Sequence, residues 1–399
     1  MTELGELARS LRDRLLDSAR ENDARPPTDA ASLRERVIEL VDEQAAPLNA
    51  TERTRLVDSV IAGTVGLGRL EPLMDAAEID EIMINGPNSV MVERHGRIEP
   101  AQVAFESEEE LMHVIERILS PIGRRVDEAS PLADARLPDG SRVNCVIPPL
   151  SLNGPLLTIR RFRRRGFTAA DLVACETITE DLRELLEACV RARLNVVVSG
   201  GTGCGKTTLL NVLSSFVGEH ERVITIEDAA ELRLAQFHVL RLESRPPNLE
   251  GSGEITIRQL VRNALRMRPD RIIVGEVRGA EALDMLQALN TGHDGSMTTV
   301  HANSAADALR RIETLALMAE LGLPHGAVRE QLASALDVVV HLVRDRDGGR
   351  RVTELVEVLR FAGEVGVRQV YRCDGKASSW VASFDDVLRS RLAGCGWAR

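Results

Sequence analysis

The sequence has few aromatic side chains and almost no lysine. Aromatic residues make up 3% of its 399 positions, and lysine occurs only at 206 and 376, which leaves arginine as 48 of the 50 basic residues. Single-stranded nucleic acids stack on aromatic platforms, so the scarcity of aromatics argues against that function. Asp and Glu outnumber Lys and Arg by 61 to 50, and the formal charge of −11 argues against a nonspecific phosphate-backbone surface. We expect no nucleic-acid partner.

The six cysteines lack the spacing of a metal site. They form no C-x-x-C pair and no Cys/His cluster, so neither a structural zinc nor a disulfide framework is predicted. No apolar run approaches the roughly 18 residues that a membrane helix needs. The first residues also lack the basic and apolar regions of a signal peptide. These absences predict reduced thiols and a cytoplasmic protein.

The length predicts two or three folding units, at roughly 100–200 residues per domain. Near the start, four leucines recur at helical spacing ahead of a break at residues 25–29, which predicts amphipathic helices. They are Leu4, Leu7, Leu11 and Leu15. The whole chain divides into a helical N-terminal appendage at 1–65, a smaller α+β domain at 66–163, a basic linker at 164–170 and an α/β domain at 171–399.

Two hairpins and a helix are predicted in the α+β domain. Turn residues at 86–88 and at 138–140 each separate two short apolar runs. Ser107 and Glu110 have the spacing of a capping box, which predicts a helix start. The predicted elements are strands 81–85 and 89–93, helix 107–120, strands 135–137 and 141–144, and strand 156–160.

A basic run at 160–166 leads into the α/β domain. In an acidic chain such a run could bind nucleic acid, but a solvated hinge or an intramolecular anion contact is the favoured interpretation.

Short apolar strands alternate with amphipathic helices in the α/β domain. Strands that are apolar throughout, such as Val196–Val198, are typical of a parallel sheet covered on both faces. A final hairpin is predicted around 345–350. The predicted strands are 195–199, 222–226, 237–242, 271–275, 297–300, 337–340 and 351–356, and the predicted helices are 206–216, 256–267, 279–290 and 304–320.

One segment matches the phosphate-binding loop pattern G-x-x-x-x-G-K-[ST]. An apolar strand precedes it and a helical pattern follows, which is the context that the motif requires. Its glycines let the backbone N–H groups point at phosphate oxygens. Lys206 would reach the β- and γ-phosphates, and the Thr207 hydroxyl would ligate Mg²⁺. The candidate residues are Gly200, Gly201, Thr202, Gly203, Cys204, Gly205, Lys206, Thr207 and Thr208.

Two carboxylates follow apolar strands of the same domain. Glu276 comes after the strand at 271–275, which is the Walker B arrangement, and Glu227-Asp228 comes after the strand at 222–226. A nucleotide hydrolase needs such groups to hold magnesium through water and to polarise the attacking water. The spacing leaves open which of the two acids has which role.

Histidines and arginines complete the set of candidates. His293 and His301 flank the strand at 297–300, where a histidine could sense the γ-phosphate through a hydrogen bond. Arg278 follows Glu276 closely, and Arg136 and Arg142 belong to the second predicted hairpin. Each arginine could bring positive charge to the phosphates, from the same subunit or a neighbouring one.

These segments resemble a known family. The stretches at 200–208, 225–232, 264–286 and 291–303 are similar to the Walker A motif, Asp box, Walker B motif and His box of type II/IV secretion-system ATPases. The segments at 68–99 and 123–150 resemble the CpaF-type branch, which assembles Flp/Tad pili. The resemblance extends from about 66 to 360.

The resemblance implies a PAS-like N-terminal domain, a RecA-like P-loop ATPase domain and a hexameric ring with nucleotide between the two domains. It implies ATP and Mg²⁺ as ligands, Glu227 as the catalytic carboxylate and Glu276 as the Walker B acid. His293 and His301 would belong to the His box, while Arg136 and Arg142 would approach the nucleotide. The motor would act at the cytoplasmic face of the inner membrane, through a platform protein.

Two departures from the family pattern are present. Cys204 stands where serine is more common, and a tetracysteine zinc module is absent, which disfavours the type II secretion branch. The alternatives are a conjugation or type IV secretion ATPase with the same chemistry, a nucleic-acid-dependent RecA-type motor, and a nucleotide-gated scaffold that does not hydrolyse ATP.

Overall fold

The structure is a computed structural model with two compact units, residues 1–163 and 164–399. Each unit is described by itself. The described residues are 7, 10, 11, 14, 30–44, 48–49, 52–54, 56–57, 60, 67–94, 96–122, 124–161, 166–245, 247, 252–345, 347–361, 364–375 and 377–397.

The start of the first unit has a small apolar cluster of its own. Helix α1 (Ala30–Gln44) buries Val37, Leu40 and Val41 against Leu11. Leu7 is partly buried on the same cluster, which fits its predicted helical spacing with Leu11. The predicted positions Leu4 and Leu15, and the break at 25–29, lie outside the described residues.

A six-stranded antiparallel sheet forms the rest of this unit, in the order β3-β2-β1-β6-β5-β4. Both predicted hairpins are confirmed, since Met83 pairs with Met91 and Ala135 pairs with Val143. Strand β3 was not predicted. The elements are α2 (Glu71–Asp75), β1 (Ile79–Asn85), β2 (Val90–Arg94), β3 (Arg97–Pro100), α3 (Glu108–Leu119), β4 (Leu132–Arg136), β5 (Arg142–Val146) and β6 (Leu156–Arg160).

Helix α3 begins with half of the predicted capping box. Ser107 Oγ accepts a hydrogen bond from the N–H of Glu110 at 3.2 Å, as predicted. The Glu110 carboxylate accepts instead from the N–H of Glu106, at 2.7 Å, and from Arg69 Nε, at 2.9 Å. Glu110 therefore connects the helix start to the preceding loop and to the segment before α2.

The basic run after β6 is described in part. The Arg161 guanidinium donates to the backbone carbonyls of Ala76, Ile79 and Met74, so this arginine makes an intramolecular contact. Residues 162–165 lie outside the described part.

The second unit is an α/β fold built on a nine-stranded sheet, in the order β15-β14-β13-β12-β7-β11-β10-β8-β9. From β12 to β9 all neighbours are parallel, while β13, β14 and β15 extend the sheet with antiparallel pairs. The strands are β7 (Val196–Gly200), β8 (Val223–Glu227), β9 (Val239–Glu243), β10 (Arg271–Val274), β11 (Met297–His301), β12 (Val338–Arg344), β13 (Arg350–Phe361), β14 (Glu364–Asp374) and β15 (Ala377–Trp380).

Helices cover both faces of the parallel part. Val196 and Val198 of β7 belong to one buried cluster and Val197 to another, which is why three consecutive positions are apolar. The helices are α4 (Ala169–Ala174), α5 (Glu180–Arg191), α6 (Lys206–Ser214), α7 (Ile257–Ala264), α8 (Glu281–Leu289), α9 (Ala305–Leu317), α10 (His325–Ala335) and α11 (Asp386–Gly394). None of the helices within the described residues is both long and apolar enough to cross a bilayer.

Aromatic rings meet at the C-terminal end of this unit. Trp380 lies 5.4 Å from Tyr371 and 5.7 Å from Trp397, and Phe384 lies 5.8 Å from Trp397, measured between ring centroids. These rings pack on the cluster that also contains Val196 and Val198. Both tryptophans and the single tyrosine of the chain therefore lie in one corner of the second unit.

Candidate nucleotide-binding site

The predicted phosphate-binding loop connects β7 to α6. A Cβ on Gly200 would lie 2.5 Å from the carbonyl oxygen of Leu342 and 2.5 Å from Cys204 Sγ, so only glycine fits at the end of β7. Gly205 caps α6 with a left-handed φ of 97°, a conformation that glycine adopts without strain. The amino end of α6 thereby follows a tight loop, which is the geometry that binds phosphate.

Lys206 folds back over this loop. Its ammonium donates to the carbonyl oxygens of Gly200, at 3.2 Å, and Gly201, at 2.9 Å, and lies 3.2 Å from His301 Nε2. The side chain is buried. Lys206 is thus held beside the loop, where a bound polyphosphate would contact it.

Strand order brings the other predicted groups to the same edge. The strands β7, β11, β10 and β8 are successive parallel neighbours, so their carboxyl ends share one edge of the sheet. His301 ends β11 and Glu276 follows β10, and His301 Nε2 lies 2.9 Å from Glu276 Oε1. Arg278 Nη2 donates to Glu276 Oε2 at 2.6 Å. Lys206, His301, Glu276 and Arg278 thus form a contiguous group of polar side chains.

Glu227 ends β8 and is almost fully buried, at 3% exposure. One oxygen, Oε2, accepts from the N–H groups of Glu231 and Leu232, at 2.8 and 2.9 Å. Within the described part of the chain, Oε1 has no hydrogen-bond partner. Burial raises the pKa of this carboxyl to about 7, against the lowering effect of the two N–H groups. The carboxyl can therefore exchange a proton near neutral pH.

The surroundings of His301 favour its neutral form. Burial and the neighbouring Lys206 charge lower the pKa of His301, against the raising effect of Glu276. His301 Nε2 lies 3.2 Å from the Lys206 ammonium and 2.9 Å from Glu276 Oε1, so one ring nitrogen faces both groups. His301 thus connects the loop lysine to Glu276.

The residues present fit a magnesium ion bound together with a nucleotide. Thr207 lies half-buried in the first turn of α6, and the Glu276 carboxylate is 18% exposed. A hydroxyl and a carboxylate are hard oxygen ligands of the kind that Mg²⁺ prefers, with phosphate oxygens and waters completing the shell. Among the described residues, no group of three or more His, Cys, Asp or Glu side chains could hold a metal by itself.

Other predicted residues lie elsewhere. His293 precedes β11 at the opposite edge of the sheet from His301, with Nδ1 3.1 Å from the Ala288 carbonyl oxygen. Arg136 and Arg142 pair across β4 and β5 in the first unit. Their approach to a nucleotide stays a prediction. Cys204 is buried, which raises the pKa of its thiol and keeps it protonated.

Three residues at this edge were missed by sequence reasoning. His341 on β12 places Nδ1 2.9 Å from Ser199 Oγ, directly before the loop. Arg344 and Arg350, at the two ends of the β12–β13 turn, lie against the loop itself. No local motif marks them, because their position depends on the pairing of β12 with β7.

The profile of the family described as type II/IV secretion system protein matches residues 64–379. The chain belongs to this family. A putative conjugal transfer protein of Mycobacterium tuberculosis is 41% identical over 334 residues, which cover 82% of this chain and 94% of the relative. The conjugal transfer protein TrbB of Rhizobium radiobacter is 34% identical over 71% of this chain and 85% of its own length.

Solved structures of secretion-system proteins share the fold. The ATPase DotB of Legionella pneumophila matches with a TM-score of 0.54 at 22% identity, over 72% of this chain and 79% of that one. At this identity the likeness concerns the fold alone. It agrees with the mixed α/β architecture of this type II/IV secretion system protein.

Proposed function

We propose that the protein is an ATPase that drives a type IV secretion or conjugative transfer machine. The observation that carries the ATPase part is the single edge at which Lys206, His301 and Glu276 are in contact beside the glycine loop. Membership of the type II/IV secretion family supports a role in a secretion machine. The names of two relatives, both conjugal transfer proteins, support the conjugative branch.

In the proposed reaction, water attacks the γ-phosphorus of ATP, the bond to the bridging oxygen breaks, and ADP and phosphate leave. Glu227 takes the proton of the water, because burial has raised its pKa to about 7. The loop N–H groups and Lys206 stabilise charge on the phosphates. A magnesium ion held by Thr207 and, through water, by Glu276 would neutralise part of that charge.

The working unit in this proposal is a homo-hexamer at the cytoplasmic face of the inner membrane, joined to the machine through an inner-membrane platform or coupling protein. The support is the resemblance of the four ATPase motifs.

The ATPase proposal is tested with the two lysines of the chain. We expect Lys206→Ala to lower the kcat of Mg²⁺-dependent ATP hydrolysis by about 100-fold or more, since it removes the cation at the phosphates. Lys376→Ala is the matched control and retains wild-type turnover. Phosphate release measured on purified hexamer and monomer fractions checks both. A wild-type chain with no more turnover than Lys206→Ala contradicts the proposal.

Flp/Tad pilus assembly is the second candidate, because the segments at 68–99 and 123–150 resemble that branch. Deletion of the gene in its own organism distinguishes the transfer machine from the pilus-assembly machine. Loss of DNA transfer or protein export with intact surface pili supports the transfer machine. Loss of surface pili with intact transfer supports pilus assembly.

A further inference from the structure

The β12–β13 hairpin packs beside the phosphate-binding loop. β12 runs parallel to β7 and pairs Leu342 with Gly200, the last residue of β7. The missing Cβ of Gly200 lets the Leu342 carbonyl come this close, since a Cβ there would lie 2.5 Å from its oxygen. β12 continues two residues beyond this pair, so the hairpin turn is carried alongside the loop.

Two arginines from the turn contact the middle of the loop. Arg350 Nε donates to the carbonyl oxygen of Gly203 at 3.0 Å. The Arg350 Cδ would lie 3.2 Å from a Cβ on Gly205, and Arg344 Nη1 would lie 3.2 Å from a Cβ on Gly203. The two arginine side chains thus fill the space that side chains at these glycines would take.

Hydrogen bonds close the turn between the arginines. Asp345 N–H donates to the Gly349 carbonyl at 2.8 Å, and Gly348 N–H donates to the Asp345 carbonyl at 3.0 Å. The antiparallel pair Arg344–Arg350 is the last of the hairpin ladder. Arg350 therefore contacts the loop from a backbone position that is paired in the hairpin ladder.

We propose that Arg350 is a positioning residue for nucleotide binding: it holds the Gly203–Gly205 turn in its phosphate-binding shape through the Gly203 carbonyl. The inference rests on the proposed function as an ATPase. Glycines lose more conformational freedom on ordering than other residues, so a turn fixed in advance binds phosphate with a smaller entropic cost. The charges of Arg344 and Arg350 add attraction for a polyphosphate.

The test separates binding from turnover. We expect Arg350→Ala to raise both the Kd and the KM for ATP about tenfold, the usual size of one charge-assisted hydrogen bond. The kcat should stay within about twofold, since uniform binding is what this contact affects. Arg350→Lys keeps a charged donor and should recover part of the affinity. Arg372→Ala on β14 is the matched control: its side chain is 54% exposed, pairs with Asp374 at 2.9 Å, and should leave Kd and KM unchanged.

Thermal unfolding distinguishes positioning from a purely structural role. A positioning role predicts that Arg350→Ala unfolds near the wild-type temperature without nucleotide and gains less stability when ATP is added. A lowered temperature without nucleotide, with an unchanged gain from ATP, overturns the inference. The inference also fails if Arg350→Ala binds ATP with a Kd within about twofold of wild type while Lys206→Ala does not bind. That result leaves the ATPase proposal intact. A wild-type chain that binds no ATP overturns both.

Discussion

Glu227 and Glu276 occupy neighbouring positions at the carboxyl edge of the sheet but have different surroundings. Glu276 is paired with Arg278 and lies against His301, whereas Glu227 is buried with one oxygen on two backbone N–H groups. A carboxylate paired with an arginine suits an electrostatic role. A buried one with a pKa of about 7 suits proton transfer. The structure thus supports a division of roles that spacing along the chain left open.

The first residue-scale prediction concerns Glu227→Gln. We expect kcat for ATP hydrolysis to fall between about 100-fold and 10,000-fold, because the amide cannot accept the proton. ATP binding, measured by titration, should be retained. In the wild type, kcat should rise with pH through an apparent pKa near 7, as Glu227 loses its proton. A Glu227→Gln protein with more than a tenth of wild-type kcat would rule out this role.

Wild-type stability should fall as pH rises, the opposite of the trend in kcat, and Glu227→Gln also tests this. The pKa of Glu227 is raised from 4.5 to about 7 in the fold, so ionisation of the buried carboxyl costs stability as pH rises through that interval. The neutral glutamine avoids this cost. Glu227→Gln should therefore gain unfolding temperature relative to wild type between pH 5 and pH 8.

At the scale of elements, Arg271 ties three segments together at the amino edge of the sheet. It begins β10 at 1% exposure and donates to both carboxylate oxygens of Glu221 at 2.8 Å. Its Nη1 donates to the carbonyls of Val190 and Gly295, at 2.8 and 3.2 Å. The end of α5 and the segments before β8 and β11 thus share one guanidinium.

Replacing Arg271 by alanine should destabilise the second unit by about 3 kcal/mol, because two carbonyls and a partly buried carboxylate lose their donor. Arg193→Ala is the control: that arginine also contacts Glu221 but is 44% exposed, and its loss should cost less than about 1 kcal/mol. Urea unfolding measures both. Equal losses for the two variants would contradict the account.

The pH dependence follows from Glu221. Burial favours its neutral form, but the hydrogen bonds and charges of Arg271 and Arg193 outweigh burial and lower its pKa to about 2. The stabilisation is complete above the ordinary pKa of 4.5 and is lost as pH falls toward 2. The difference between wild type and Arg271→Ala should shrink over the same interval.

Sequence reasoning succeeded for elements whose burial is uniform and failed where position depends on distant pairing. The strands β7, β8 and β10 are buried along their whole length, and β11 is buried up to His301, so their type and their shared edge were predictable. Strands β14 and β15 were not predicted: β15 is the edge strand and its residues are mostly exposed, whereas β14 buries Val370, Tyr371 and Cys373 in a stretch that is otherwise partly exposed. The place of Arg350 follows from the pairing of Leu342 with Gly200, which no local pattern encodes.

At the scale of the whole molecule, the two units carry separate apolar cores and unequal shares of the fluorescent residues. Trp380, Trp397 and Tyr371 all belong to the second unit, which also holds the phosphate-binding loop. The family match ends at 379, yet Phe384 and Trp397 beyond it are buried in the core of this unit. The folded unit therefore extends past the matched segment.

This distribution makes tryptophan fluorescence a probe of the second unit alone. We expect ATP at 100 times its Kd to raise the free energy of unfolding measured by fluorescence by about 2.7 kcal/mol. Far-ultraviolet circular dichroism reports both units and should show a part that ATP does not shift. Lys206→Ala should lack the fluorescence shift. An equal shift of the entire dichroism signal would show that the units unfold together.

The buried position of Lys206 has a practical consequence for work on assemblies of this chain. With lysine at two positions only, amine-reactive cross-linkers have the chain terminus, Lys376 and a shielded loop ammonium as targets. The absence of cross-linked products would therefore not argue against the proposed hexameric ring. Carboxyl-directed or arginine-directed reagents suit this chain better, because it has 61 acidic residues and 48 arginines but only two lysines.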